Sequence, residues 1–283
     1  MNSSHPYFGV EVVVTTKHDK AALLQPSFKD LLDISLVELP LDTDQLGTFA
    51  GEIERTAPPR ETAIAKARLG IENSGKRFGI ASEGSIAPDF ALPWIHADYE
   101  VLVFIDSESD LVISEKFHSR EIVAASATIR VGDKLDEVIK RADFPRHALI
   151  AQPVRSREPC IVKGITSLRD LVSAIAECAA KSPTGEVKLE SDFRAMHSPS
   201  RQENIRTLGR KLATRVAALC PECSTPGWGV VDYKKGVACI DCGELNSEAI
   251  SQEIVGCYRC DHKALGATIK ESLDPAQCHF CNP

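Results

Sequence analysis

The chain has 283 residues, 43% of them apolar and 26% charged, with a formal net charge of −7. These proportions fit a globular protein with room for one large domain and a small one. The negative charge weighs against broad contact with nucleic acid, which works by neutralising phosphates with Lys and Arg. No apolar run reaches the ~20 residues that cross a bilayer. The start, Met1-Asn2-Ser3-Ser4-His5-Pro6, has no basic segment followed by an apolar one. That argues against an export signal and makes the cytoplasm the expected location.

In chain order, residues 8–16 (FGVEVVVTT) read as a β-branched strand, and DKAALLQPSFKDLLD after it as a helix interrupted near Pro26. Residues 35–40 form a second short strand. A polar connection with Gly and Pro, 41–59, is long enough to suspect a function. A helix over 61–73 leads into the strand FGIAS. Residues 99–106 and 110–119 make a hairpin turning at 107–109. DKLDEVIKRA is an amphipathic helix, HALIAQP a buried strand, SLRDLVSAIAECAA a helix, EVKLES a strand, and SRQENIRTLGRKLATRVAAL a long helix. The fold class expected for residues 1–219 is α/β, a mixed β-sheet flanked by helices.

The composition changes near residue 219. Of ten cysteines, Cys160 and Cys178 stand alone. The others form four Cys-x-x-Cys pairs: Cys220 and Cys223, Cys239 and Cys242, Cys257 and Cys260, Cys278 and Cys281. Two such pairs at this separation read as a Zn²⁺ site, because each pair reaches one ion from a tight turn and two pairs complete a tetrahedron. Eight cysteines give two Cys₄ sites, closed and therefore structural. Disulfides are disfavoured without an export signal. Sequential pairing is the first expectation, and cross-bracing the alternative. Residues 220–283 carry nine acidic residues against five Lys and Arg. Such a ribbon suits docking on the main domain, a sister subunit in a homodimer, or a protein partner better than nucleic acid.

Four stretches could carry chemistry. Thr15 to Lys20 (TTKHDK) joins the first strand to the first helix, where Thr hydroxyls, Lys17 and Lys20 could meet a phosphate; a solvated strand end is the plainer reading. Glu61, Thr62 and Lys66 occupy the first two turns of the next helix, with Thr62 and Lys66 on one face. Glu83 ends a strand among small residues; it could hold Mg²⁺ or pair with a nearby lysine. Finally, Arg194, His197 and Arg201 surround the start of the last helix, where cations oppose the helix dipole unless an anion lies between them. There Ser198 with Pro199, or Ser200 with Glu203, could cap the helix.

In this order, the first three stretches resemble the inosine/xanthosine triphosphate pyrophosphatase superfamily, which includes the Maf-like proteins. Thr15-Thr16-Lys17-His18-Asp19-Lys20 is similar to its phosphate loop Thr-Gly-Asn-x-x-Lys. Glu61-Thr62-Ala63-Ile64-Ala65-Lys66-Ala67 is similar to Glu-Asn-Ala-x-x-Lys-Ala. Gly79-Ile80-Ala81-Ser82-Glu83-Gly84-Ser85 is similar to the acidic strand end Gly-Ile-Glu-Gly-Gly. Thr16 and Lys17 depart from Gly-Asn in the loop, and one acid, Glu83, stands where many members have two. The whole chain also resembles an uncharacterised bacterial family with paired zinc ribbons after such a domain. The resemblance implies Mg²⁺-dependent hydrolysis of a nucleoside triphosphate to monophosphate and pyrophosphate. Glu83, Glu61 and Lys66 would then be catalytic, and Thr15, Lys17, Lys20, Arg194, His197 and Arg201 would bind substrate. The competing expectations are a nucleotide sensor without turnover and an interaction protein acting through its zinc ribbons.

Overall fold

A computed structural model describes residues 4–17, 19–42, 57–156 and 160–283. The suspected connection at 41–59 lies, apart from its ends, outside the described residues.

The N-terminal part is built on a five-stranded sheet. Its elements are β1 (Glu11–Thr15), α1 (Lys20–Leu32), β2 (Ser35–Leu39), α2 (Pro59–Ser74), β3 (Phe78–Pro88), β4 (His96–Asp106) and β5 (Leu111–Ser119). The strand order is β2-β1-β3-β4-β5. β1 is parallel to both its neighbours, while β3, β4 and β5 run antiparallel in turn. Strand alternation sorts the core into two layers. Val12, Val14, Ile80, Leu102 and Phe104 pack under α1 and the long helix α5 (Pro199–Ala217). Ala81, Val101, Val103 and Ile105 pack on the other face against Ala63 and Ala67 of α2. α1 runs through Pro26 without the expected interruption. A proline inside a helix costs about 3 kcal/mol. Ala21, Leu24, Phe28 and Leu32 stay buried on one stripe of that helix, and each large apolar side chain buried contributes about 1.5–3 kcal/mol.

Residues 126–191 form a second sheet. β6 (Ser126–Arg130), β7 (Leu149–Pro153), β8 (Val162–Ile165) and β9 (Glu186–Ser191) pair antiparallel in the order β6-β9-β7-β8. α3 (Asp136–Arg141) and α4 (Leu168–Lys181) complete it. Its core, with Leu149, Leu171, Ile175, Cys178, Val187 and Leu189, is separate from those of the first sheet. Residues 1–219 are thus α/β with two sheets rather than one. Neither outer strand, β6 nor β8, was anticipated; they are five and four residues long, too short for alternation to stand out.

The two sheets meet at the start of α5. Pro199 is its first residue, but Ser198 makes no capping hydrogen bond with its side chain. The cap comes instead from buried His147, whose Nε2 accepts the Ser200 N–H at 3.1 Å and lies 3.0 Å from Ser200 Oγ. Nδ1 lies 3.0 Å from Asp143 Oδ2. Because Nε2 is accepting, the ring proton belongs on Nδ1. Burial holds the His147 pKa below its ordinary value. A depressed histidine pKa contributes stability that is lost as pH falls below the unfolded value of about 6.5. His147→Gln should cost about 1 kcal/mol at pH 7.5. It should also flatten the acid-side fall in melting temperature between pH 7 and 5.5, measured beside the parent protein.

The C-terminal module is the antiparallel sheet β10 (Gly229–Ala238), β11 (Leu245–Gly256) and β12 (Lys263–Thr268). Arg215 of α5 docks it. Its Nε donates to the Gly227 carbonyl at 3.3 Å, its Nη1 lies 2.7 Å from Glu115 Oε1 on β5, and its guanidinium sits 4.9 Å from the Tyr258 ring centre. Among the described residues, no helix is long and apolar enough to cross a membrane.

Candidate functional site

β1 pairs with β3 only as far as Ile80. Residues 82–84 therefore lie past the carboxyl end of β1, where ligands bind in open α/β sheets. Alternation sends Glu83 toward α2, and Lys66 reaches down from α2 to meet it. Their charged atoms are 2.6 Å apart, with side chains only 12% and 5% exposed. This is the lysine partner that a strand-end carboxylate calls for.

The neighbouring residues on β3 face the other way. Ser82 Oγ accepts a hydrogen bond from Lys20 Nζ at 2.8 Å. Lys20 is the first residue of α1 and is buried. Its pKa is lowered to about 8, first by burial and then by nearby Arg201, against the pull of Glu100 and Glu83. On β4, Glu100 lies opposite Gly84. A Cβ on Gly84 would come within 2.4–2.5 Å of the Glu100 carboxylate, so only glycine leaves room for it. Arg201 Nε donates to Glu100 Oε1 at 2.5 Å, and its Nη1 donates to the Phe193 carbonyl at 2.7 Å. One turn on, Asn204 donates to Asp98 Oδ2 at 2.9 Å. Burial and the adjacent Glu100 push the Asp98 pKa up to about 7. Asp98 Oδ1 and Glu100 Oε2 are buried with no hydrogen-bond partner among the described residues. Two groups thus flank one strand end, Lys66 with Glu83 on the α2 face and Lys20, Ser82, Glu100 and Arg201 on the α1/α5 face.

Of the residues expected at the site, the structure gathers Lys20, Lys66, Glu83 and Arg201. Five others lie elsewhere. Thr15 is buried under α2, where Gly70 leaves the space its hydroxyl fills; a Cβ there would be 1.9 Å from Thr15 Oγ1. Lys17 points outward and pairs with Asp42 at 2.6 Å. Glu61 is exposed in the first turn of α2, with Arg60 at 4.0 Å. Arg194 is neutralised by Asp192 at 2.5 Å. It and His197 lie against Gly164 of β8, on the second sheet. β1 ends at Thr15, one residue before the end its sequence suggests, so Lys17 falls beyond the strand, while Thr15, in phase with Val13, points to the α2 side. Arg194 and His197 precede the helix that carries Arg201, and they stay with the sheet they leave. Ser82, Asp98, Glu100 and Asn204 were missed. The signal was present in the strand 98–106, where Asp98 and Glu100 fall in phase with buried Leu102 and Phe104.

The eight cysteines of the C-terminal module fall into two groups, Cys220, Cys223, Cys257 and Cys260, and Cys239, Cys242, Cys278 and Cys281, with all sulfurs of a group within 4.8 Å of one another. The pairing is alternate, not sequential. β10 separates the first Cys pair from the second, and β11 returns the chain to the first. Contacts of 3.7 Å for Cys220–Cys260 and 3.6 Å for Cys223–Cys257 match those of 3.8 Å for Cys239–Cys281 and 3.7 Å for Cys242–Cys278. A tetrahedron with ~2.3 Å Zn–S bonds has edges of about 3.8 Å. The backbone N–H groups of Arg259 and Cys260 donate to Cys257 Sγ, as a thiolate invites. Both groups could therefore hold zinc. The two acids expected to hold Mg²⁺ do not come together: Glu83 is hydrogen-bonded to Lys66, and Glu61 lies apart, exposed beside Arg60.

Residues 66–283 match the model of a family described as a domain of unknown function (DUF6671). The match takes in Lys66, Glu83, Arg201 and all eight ribbon cysteines. No curated protein matches the chain.

Proposed function

The chain belongs to the DUF6671 family, and since membership brings no activity with it, we propose from the site itself that it hydrolyses nucleoside triphosphates, or a related phosphorylated small molecule, with release of pyrophosphate. The observation that carries this reading is the convergence of Lys66, Arg201 and Lys20, from three different helices, on Glu83, Glu100 and the Ser82 hydroxyl at the carboxyl end of a parallel strand pair. Phosphoryl transfer needs little from a protein beyond positioning and charge neutralisation. Lys66 and Lys20 would turn to the phosphate oxygens from the two faces. Glu83, released from Lys66, would orient the attacking water and take its proton as the pyrophosphate leaves. Any Mg²⁺ would travel with the polyphosphate as its counter-ion. The resemblance to the inosine/xanthosine triphosphate pyrophosphatases supports the same reaction class.

Calorimetry with inorganic tripolyphosphate tests the cations directly. Lys20→Met and Lys66→Ala should each weaken binding about tenfold or more, the worth of a charge-assisted hydrogen bond. Lys17→Ala should leave it unchanged. Equal affinities in all three would reject the site. A second reading, a sensor without turnover, is favoured by the Lys66–Glu83 pair, which keeps the carboxylate neutralised until the lysine moves. Binding of nucleotide with no pyrophosphate release would establish it.

A further inference from the structure

The two cysteines outside the C-terminal module, alone in the sequence, meet in the core of the second sheet. Cys178 closes the buried stripe Leu171, Ala174, Ile175, Cys178 on α4. Cys160 lies two residues before β8. Their sulfurs are 3.9 Å apart, across 18 positions of the chain. That is the contact distance of two reduced sulfurs. A bond at about 2.05 Å asks them to close by roughly 2 Å. The two four-sulfur clusters of the module are complete without either of them.

The two thiols are not equivalent. Cys178 is fully buried, and Cys160 is 7% exposed. Charged side chains contact the Cys160 sulfur, with Lys181 Nζ at 3.4 Å and Glu177 Oε1 at 3.7 Å. Both come from the end of α4 and pair with each other at 3.0 Å, their side chains 35% and 55% exposed. The Cys160 sulfur therefore sits just beneath a wet, charged surface. An ammonium beside a sulfur favours the thiolate, which is the nucleophilic form. Lys181 holds the Glu177 carboxyl below its ordinary range, so that an ionised carboxylate faces the Cys160 thiol and can accept its proton. Burial, and then the adjacent Cys160, push the Cys178 thiol up to about 12, so it stays protonated. A cysteine that only fills core volume behaves as a small apolar group and has no use for an ion pair over its sulfur.

We propose that Cys160 and Cys178 are a reversible oxidation site for hydrogen peroxide, with Cys160 the attacking thiol and Cys178 the resolving one. The Cys160 thiolate attacks one peroxide oxygen and the O–O bond breaks. The departing hydroxide collects the proton that Cys160 gave up through Glu177 and leaves as water. Cys160 is then a sulfenic acid. The Cys178 sulfur attacks it, the S–O bond breaks, and the hydroxyl leaves with the Cys178 proton as a second water. Two thiols and one peroxide become one disulfide and two waters; the sulfurs give up two electrons and the peroxide takes them. A small thiol such as glutathione reverses the step by exchange through a mixed disulfide. The cross-link ties the end of α4 to the chain entering β8. It lies in the second sheet and does not depend on the phosphate site.

Peptide mapping of the full chain tests this. Protein purified under reducing conditions is freed of reductant, treated with equimolar hydrogen peroxide, alkylated under denaturing conditions and digested with trypsin. Cleavage at Lys163 and Arg169 separates the two cysteines, so the disulfide appears as a pair of peptides joined with the loss of two hydrogen atoms. This pair should be the first oxidation product and should disappear on incubation with reduced glutathione. In Cys178→Ser, the sulfenic-acid trap dimedone should label Cys160. In Cys160→Ser, Cys178 should stay unlabelled. Adding Lys181→Met to Cys178→Ser should slow the labelling about threefold, the net of a smaller thiolate fraction and a more nucleophilic sulfur; Lys181→Arg should keep the rate. Oxidation confined to the cysteines of the C-terminal module, with Cys160 and Cys178 both alkylated, would overturn the proposal. So would over-oxidation of Cys160 without a cross-link, equal labelling of the two cysteines, or a rate indifferent to Lys181→Met. The mapping of the parent protein needs no variant and decides the matter even where a substitution in this core prevents folding.

Discussion

Glu83→Gln should lower pyrophosphate release by at least about 100-fold, the scale on which a positioned base or charge acts in phosphoryl transfer. The same change should also destabilise the protein, because it leaves the Lys66 ammonium largely buried without its partner; breaking a buried pair costs about 3–5 kcal/mol, and less where one side chain retains some exposure, as Lys66 does. The two effects are separable. In the double variant Lys66→Met, Glu83→Gln neither charge remains, and replacing a buried pair by neutral groups of similar volume is often neutral or stabilising. Melting temperature should then recover while turnover does not. Recovery of both, or a Glu83→Gln protein that is less stable but fully active, would show the pair to be structural and reject the catalytic role.

Removal of zinc should have the second large effect. Protein purified under reducing conditions should carry about two Zn²⁺ per chain, four thiolates to each ion. Strong chelators should melt the C-terminal module before the rest, because metal binding and folding are coupled where so little apolar core exists. Among the described residues, the module's buried core cluster consists of Val237, Cys239, Leu273 and Cys278, two of which belong to one of the Cys₄ clusters. The alternate pairing makes a sharper forecast. The double variant Cys223→Ser, Cys257→Ser removes two ligands from one site and should retain one zinc. Were the pairs sequential, it would damage both sites and retain none. Metal analysis of this one variant decides the matter.

What could be read from the sequence was mostly local. Cys-x-x-Cys is a local geometry, so the ligands were legible; which pairs share an ion depends on β10 and β11 running antiparallel, which no spacing reveals. Lys66 and Glu83 were each recognisable from their neighbours, and the structure joins them across 17 positions. Asp98 and Glu100 were obscured because charged residues on a strand normally mark its solvent side, whereas here they sit in phase with the core and are tolerated through Arg201 and Asn204. His147 was invisible as a cap, since Ser198 and Ser200 offered a nearby answer and the true acceptor lies 53 residues upstream. The second sheet was merged with the first because helices and short strands alternate through both, and only pairing divides them.

The placement of the two Cys₄ clusters has a mechanical consequence once each holds its ion. They stand at opposite ends of one hairpin, separated by the ten residues of β10, about 30 Å of extended chain. The end with Cys220 and Cys257 is bolted to α5 and β5 through Arg215 and Tyr258. The other end, with Ile240 and Phe280 open to solvent, is a cantilever. Loss of the outer ion should fray only the tip, leaving Arg215 in place. Loss of the inner ion should release the root, so that a still-folded tip swings free. Hydrogen exchange after Cys281→Ser and after Cys260→Ser should show this asymmetry, with protection lost around residues 239–245 in the first and around 215–230 in the second.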